Sequence, residues 1–274
     1  MTDGDSDRYS DDLELARRLA DAADAIAGAR FGAADLAVET KPDLTPVTDA
    51  DRAVERAIRE ILHSTRPDDA VSGEEFGSEG TGSRRWVIDP IDGTKNFVRG
   101  VPVWATLIAL MDGATPVLGM VSAPALGRRW WAATGTGAWA LAPGAAPRPI
   151  AVSKVTQIGD ASLSYSSLTG WREVGRLDGF LGLADSCWRT RAYGDFWSYL
   201  LVAEGAVDLA AEPELSLWDM AALAPIVVEA GGRFTGLDGT DGVLSGNAAA
   251  SNGLLHDALL SFVGDRAANR TGQQ

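Results

Sequence analysis

The stretch Trp86-Val87-Ile88-Asp89-Pro90-Ile91-Asp92-Gly93-Thr94-Lys95-Asn96-Phe97 restricts the fold more than any other, because an apolar run delivers two carboxylates, three residues apart, into a Gly-Thr turn. Trp86-Val87-Ile88 reads as a buried strand, and a carboxylate at a strand's carboxyl end is the usual ligand position in a layered α/β protein. Pro90 has no N–H to give to a ladder and is expected to end the strand and stiffen the turn. With the chain turned there, Asp89 and Asp92 can converge, and the Ile91 carbonyl can add a third hard oxygen. Oxygen-only ligation favours Mg²⁺ or Mn²⁺ over zinc. Gly93 permits close backbone approach, and Thr94 is placed to start a helix whose N–H groups and dipole attract phosphate. The competing reading is an Asx-type turn, since Asp-Gly is a common turn dipeptide.

Three further acidic clusters bear on that choice. Gly73-Glu74-Glu75-Phe76-Gly77 sets paired glutamates after the short apolar Ala70-Val71, another strand end, although a solvated loop carries such pairs too. Thr45-Pro46-Val47-Thr48-Asp49-Ala50-Asp51 opens a helix whose Ala53, Val54, Ala57, Ile58, Ile61 and Leu62 fall at helical spacing, and Thr48 or Asp49 also suits a plain N-cap. Leu217-Trp218-Asp219-Met220 leads into an apolar run from Ala221 to Val228 and then Gly231-Gly232, where Asp219 again fits a cap.

At 274 residues and 46% hydrophobic, the chain can bury a full core, as one large layered domain or two closely packed lobes. A net charge of −14 argues against nucleic acid as a partner. An anionic enzyme still binds phosphate where divalent cations invert the local potential. Cys187 is the only cysteine, so no intrachain disulfide forms and a reducing cytoplasm is expected. With no histidine nearby to activate it, this thiol reads as a small buried hydrophobe. The acidic, polar N-terminus and the later segments lack the pattern of a signal peptide or a membrane span, so a cytoplasmic protein with no membrane partner is expected.

Residues 1 to about 10 and 267–274 are polar and expected to be disordered. Leu13, Leu15, Ala16, Leu19, Ala20, Ala23, Ala27 and Phe31 describe a first amphipathic helix, and the Asp51 helix follows. Ala105 to Met111, Val117 to Ala123 and Arg129 to Ala133 suggest an antiparallel meander in a half spanning about 11–145. Leu141 to Pro149 reads as the boundary with a second half, about 150–266. There Ser162 to Ser167 and Val207 to Ala211 are expected strands, and Phe196 to Glu204 and Ala221 to Ala230 expected helices.

Thr48-Asp49-Ala50-Asp51, Gly73-Glu74-Glu75, Asp89-Pro90-Ile91-Asp92-Gly93-Thr94 and Trp218-Asp219 followed by Glu229-Ala230-Gly231-Gly232 run in that order over most of the chain. The set resembles the inositol monophosphatase family of Mg²⁺-dependent, lithium-sensitive phosphatases. Within it, Lys41-Pro42-Asp43-Leu44-Thr45-Pro46, the segment from Lys95 to Trp104, and Arg191-Ala192-Tyr193-Gly194-Asp195-Phe196 look most like the branch that hydrolyses the phosphate ester of an imidazole-bearing amino alcohol. The resemblance implies an α/β (α+β) fold, the αβαβα layered sandwich, in a single domain, and a homodimer, for which Val202, Ala206, Val207 and Trp130-Trp131 are the expected apolar surface.

The resemblance further implies that Glu74, Asp89, Asp92, Asp219 and the Ile91 carbonyl hold two or three Mg²⁺ ions, with Mn²⁺ a possible substitute. A cation-activated water, positioned by Glu74 or Glu75 with Thr94, then attacks a small-molecule phosphate monoester in line. His63 and His256 lie in no motif, so a phosphohistidine route has no candidate, and both read as surface or helix-end residues. Asp51 and Lys41 match family positions near a third metal, or Lys41 simply neutralises Asp51. Glu74, Asp92, Gly93, Thr94 and Asp219 would face the phosphate end of the substrate, and Arg191, Gly194, Asp195 and Glu212 its organic end. Two carboxylates there, Asp195 and Glu212, suit a cationic group better than a neutral polyol. Arg191 has two readings, a substrate contact or a salt bridge to Asp195, and Trp104 reads as core rather than a stacking platform. A sugar bisphosphate would need a basic cluster, for which only Lys95, Arg99, Arg128 and Arg129 are near. A binding module that had lost activity would lack a metal carboxylate or Thr94, and none is missing.

Overall fold

Two helices cover the first sheet, and their sequence explains why. In the computed structural model, which describes residues 8–42 and 44–264, α1 (Ser10–Arg30) buries Leu13, Leu15, Ala16, Leu19, Ala20, Ala23 and Ala27 along one stripe. Tyr9 is buried too, so the ordered chain begins before residue 11. The remainder of the expected tails, 1–7 and 267–274, lies outside the described residues. A hairpin of β1 (Val38–Thr40) and β2 (Pro46–Thr48) leads into α2 (Asp49–Thr65), where Thr48 and Asp51 form a reciprocal capping box.

Next come β3 (Ala70–Gly73), β4 (Gly77–Glu79), β5 (Arg84–Asp92), the short α3 (Thr94–Val98), β6 (Ala105–Asp112), β7 (Thr115–Ala123), β8 (Arg128–Ala133), β9 (Ala138–Leu141) and β10 (Arg148–Ile150). They make an eight-stranded sheet in the order β10-β9-β8-β7-β6-β5-β3-β4, antiparallel except for the β3–β5 pair. The expected meander is present. β10 pairs with β9 and carries the first sheet through Ile150.

The remaining elements are β11 (Ser162–Ser164), α4 (Leu168–Glu173), α5 (Leu177–Ser186), β12 (Arg189–Arg191), α6 (Asp195–Ala203), β13 (Leu209–Glu212), α7 (Leu217–Ala221), α8 (Leu223–Glu229), β14 (Arg233–Thr235), β15 (Ala248–Ser251) and α9 (His256–Val263). A five-stranded sheet runs β12-β11-β13-β15-β14, parallel around β11 and antiparallel around β15. The expected helix from Ala221 to Ala230 is α8, which begins at Leu223, and the short α7 precedes it with an interruption at Ala222. Pro225 explains the break, since its ring collides with the carbonyl four residues back, that of Ala221, where α7 ends.

Strand alternation distributes the layers. On β6, Ala105, Leu107, Ala109 and Met111 face a cluster with α6, α7 and α8, while Ile108 and Leu110 face α1 and α2. On β13 and β15, Ala210, Ala248 and Ala250 face the same central helices, whereas Leu209, Ala211 and Ala249 meet α4, α5 and α9. The order is therefore α1/α2, large sheet, α6/α7/α8, small sheet, α4/α5/α9: the αβαβα sandwich. Packing between the large sheet and the central helices is close, for a Cβ on Gly119 of β7 would lie 2.1 Å from the Ala222 carbonyl oxygen. Val202, Val207 and Trp130 are buried in this core and Trp131 is buried on the other face of the sheet against α1 and α2, so of the apolar surface expected to support a dimer only Ala206 is exposed.

Candidate active site

Pro90 does not end its strand. β5 continues to Asp92, with Asp89 opposite Leu107, Asp92 opposite Ala105, and an irregularity between them that accommodates the missing N–H. The Pro90 carbonyl accepts from Thr106 Oγ1 at 2.8 Å, and Asp89 Oδ1 accepts from the Ile91 N–H at 3.0 Å. The aspartate that bonds the turn's own backbone is thus Asp89 rather than the Asp92 of the Asp-Gly pair, whose carboxylate accepts from the distant Phe196 N. Asp219 arrives from the first turn of α7, where its Oδ2 accepts from Ser216 N at 2.6 Å, so cap and site residue are one side chain. Carboxylate oxygens of Asp89, Asp92 and Asp219 all lie within 4.8 Å of one another.

Gly93, at φ +82°, caps α3 and puts Thr94 at its first position as expected. Thr94 Oγ1 lies 3.0 Å from the Ile91 carbonyl and 3.4 Å from Asp51 Oδ1. Glu74 follows β3, its N–H donating to Ile88 O at 3.2 Å. Lys41 does not neutralise Asp51: its Nζ donates to Glu74 Oε1 at 2.7 Å and Glu75 Oε1 at 2.6 Å. Those two hydrogen bonds outweigh the burial that opposes its charge and raise its pKa.

Burial, followed by the charges of neighbouring carboxylates, pushes Asp89 and Asp92 well above the ordinary carboxylate range. Burial likewise lifts Asp51 and Asp219 to about 6. Three converging, desolvated carboxylates with Lys41 bonded elsewhere make a site of concentrated negative potential. The donors are hard oxygens, and among the described residues no histidine or cysteine lines the cavity. This set fits a hard divalent cation, which would offset the repulsion that raises these groups.

The cavity, about 400 Å³, extends from that cluster to a second acidic wall. Asp195 takes a left-handed φ of +46° just after Gly194 at +86°, and is held there by Asn96 Nδ2, 3.1 Å from its Oδ2. The next amide, Phe196 N, donates to Asp92 Oδ2 at 2.8 Å, so the start of α6 ties the two ends of the cavity together. Glu212, at the end of β13, is pushed up to about 8 by burial and the charge of Asp195. Its Oε1 is buried and makes no well-formed hydrogen bond, and neither does the buried Tyr199 hydroxyl beside it.

The structure leaves two expected residues off this wall. Arg191 is exposed and donates to its own neighbour's carbonyl, Thr190 O, at 2.7 Å, so it neither lines the cavity nor pairs with Asp195. Gly194 caps α6 without lining the cavity. Trp104 is core, packed edge-on against Phe97 and at a tilt against Phe31. Of the basic residues a second phosphate would need, Arg128 pairs with Glu204, Arg129 pairs with Asp21 and Asp24, and Arg99 is exposed off the cavity, which leaves Lys95 on the cavity lining. His63 is an exposed helix-end residue, whereas His256 is fully buried between Thr235 and Ser251. Sequence reasoning passed over Asn96, Tyr199 and the fully buried Glu55. Only Glu55 carried a signal, as a carboxylate on the apolar face of α2 between Val54 and Ile58.

A layered α/β fold with converging buried carboxylates at a strand end, opening beside a Gly-Thr helix start, defines a phosphoric monoester hydrolase. The profile of the Inositol monophosphatase family matches residues 9–266, and the chain belongs to that family. It is 65% identical to a histidinol-phosphatase of Streptomyces coelicolor, over 94% of this chain and 98% of that protein. It is 61% identical to a histidinol-phosphatase of Mycobacterium tuberculosis, over 92% and 97% respectively. Among solved structures, an inositol monophosphatase from Zymomonas mobilis superimposes with a TM-score of 0.82 at 34% identity, covering 93% of this chain and 98% of that one.

Proposed function

We propose that this protein is a divalent-cation-dependent histidinol-phosphatase, converting L-histidinol phosphate and water to L-histidinol and phosphate. The observation that carries the reading is the two-ended cavity: a carboxylate cluster suited to cation and phosphate, and a separate acidic wall, Asp195 and Glu212, suited to an ammonium or imidazolium. High identity to two histidinol-phosphatases supports it. Glu74, Asp89, Asp92, Asp219 and the Ile91 carbonyl would hold two or three Mg²⁺ ions, or Mn²⁺. When bound, these ions supply Lewis-acid stabilisation of the phosphoryl oxygens and the leaving alkoxide.

The chain's own residues do the rest. Gly93 and Thr94 present the free N–H groups of a helix start to the phosphate. Glu74 or Glu75 orients the attacking water and takes its proton, and Thr94, held between Ile91 O and Asp51, fixes the water's approach. Asp195 and Glu212 bind the cationic end of the substrate, and the organic pocket excludes water from it. We read the protein as a cytoplasmic homodimer in one domain, with no nucleic-acid partner. Among the described residues no helix is long and apolar enough to cross a membrane. Trp188, Leu181 and Val174, exposed around α5, supply apolar surface for a dimer.

The test is phosphate release with Mg²⁺ from histidinol phosphate and from myo-inositol 1-phosphate, for wild type and Asp195→Ala. A preference of about a hundredfold for histidinol phosphate in kcat/KM, weakened in the variant, is expected. A preference for the inositol ester would refute the substrate assignment and leave the metal site standing.

A further inference from the structure

We propose that Glu55, which lies outside the cavity, is a positioning residue that sets the Glu74–Glu75 loop and thereby the affinity of the site for its divalent cation. The inference rests on the reading that this loop serves the cation and the attacking water.

Glu55 is fully buried on α2, one turn beyond Asp51. Its carboxylate is enclosed by the loop it would hold. Oε2 accepts from Glu75 N at 2.7 Å, and Oε1 accepts from Phe76 N at 3.2 Å and from Arg59 Nε at 2.8 Å. Arg59 in turn donates through Nη2 to Gly77 O, so the carboxylate and its guanidinium partner together grip three consecutive backbone units, 75 to 77. On the near side stands Gly73, where a Cβ would fall 2.1 Å from Oε1 and 2.3 Å from Cδ. The glycine's lack of a side chain is therefore what admits the carboxylate against the loop's base.

Both glutamates of the loop depend on this anchor. Both side chains reach Lys41, and that of Glu74 lines the cavity, while the backbone that aims them is fixed by Glu55 and by the Glu74 N–H on Ile88 O. A carboxylate offers acceptors only, and all three neighbours here are donors. A glutamine of the same shape would turn an NH₂ toward one of them, leaving a buried N–H without an acceptor and the loop free to shift. Groups that orient metal ligands from behind in this way typically change metal affinity by about 10- to 100-fold when altered. Asp51 sits one turn earlier on the same helix and contacts Thr94, so α2 aligns the glutamate loop and the Thr94 hydroxyl as one rigid piece.

The experiment uses full-length wild type, Glu55→Gln and Gly73→Ala. The Mg²⁺ dissociation constant is measured by titration calorimetry, with Mn²⁺ followed by electron paramagnetic resonance. In parallel, kcat and KM for histidinol phosphate are measured across Mg²⁺ concentrations. Both variants are expected to weaken Mg²⁺ by about tenfold or more, to lose kcat at low Mg²⁺ and recover most of it at saturating Mg²⁺, and to keep KM within about threefold. The cation's dissociation constant belongs to the folded molecules, so a Glu55 that merely stabilised the fold would lower the melting temperature without moving it. An unchanged constant in either folded variant of an active wild type overturns the proposal. Gly73→Ala supplies the same reading should Glu55→Gln not fold. A wild type that neither binds Mg²⁺ nor releases phosphate would sink the underlying functional reading as well, a result distinguishable from the first.

Discussion

Replacing Glu212 by glutamine should make the metal-free protein more stable and the enzyme worse. In the folded state burial and Asp195 hold this carboxyl up to about 8, against an ordinary 4.5. Between those two values the unfolded chain is ionised and the folded one keeps its proton, so stability falls as pH rises through that interval and the penalty is complete above it. Each pH unit costs about 1.4 kcal/mol, giving a ceiling of about 3 kcal/mol at pH 7. The residue keeps a little solvent contact, which lowers the ceiling to between about 1 and 3 kcal/mol. A chain of 274 residues has an unfolding entropy of about 0.6 kcal/mol/K. The expected rise in Tm for Glu212→Gln at pH 7 is therefore about 2 to 5 °C, shrinking toward zero at pH 4.5. The assay is calorimetric melting in chelator from pH 4.5 to 8.5, beside kcat/KM for histidinol phosphate, which should fall by about tenfold or more as the substrate's cation loses a carboxyl able to give up its proton beside it. A variant melting at or below wild type at pH 7, with the same pH slope, would refute the reasoning.

Mg²⁺ should stabilise wild type in proportion to the logarithm of its concentration, by about 2.7 kcal/mol at a hundred times its dissociation constant, with a matching rise in Tm, and Asp89→Asn should abolish that shift. A Cβ at Gly119 meets the Ala222 backbone at 2.1 Å, so Gly119→Ala should destabilise by about 1 to 3 kcal/mol in urea unfolding. Burial first, and then Arg233, hold His256 down at about 4. The unfolded chain therefore takes up a proton that the folded one refuses as pH falls from about 6.5 to 4, and wild type should lose up to about 2 kcal/mol at pH 5 that His256→Asn does not lose. Arg191→Ala should leave kcat/KM within about threefold of wild type, since the side chain faces Thr190 O and not the cavity.

The local rules written into this chain were enough to place the site's main parts. An apolar run ending in Asp89, a Gly-Thr pair at a helix start, and acids at the head of α2 and α7 are features of short segments, governed by strand alternation and helix capping, and each is where those rules put it. The same rules yielded the meander and the first helix. They misjudged Pro90, because a bulge tolerates a missing N–H that a regular ladder would not, and they missed the separate short α7 and the interruption at Ala222, ahead of Pro225.

What tertiary structure alone decided concerns partners far apart in the chain. Lys41 pairs with Glu74 and Glu75 rather than Asp51, Asn96 holds Asp195 across 99 positions, Arg191 turns outward, and Trp130 and Val207 are consumed by the core between the sheets. Glu55 is the sharpest instance. In sequence it is a glutamate on a helix, and only the arrival of the 73–77 backbone, brought by sheet register, gives its buried charge the donors it needs. Local pattern is set by steric and capping preferences within a few residues, whereas the choice among long side chains for a partner is settled by which surfaces the layers bring together.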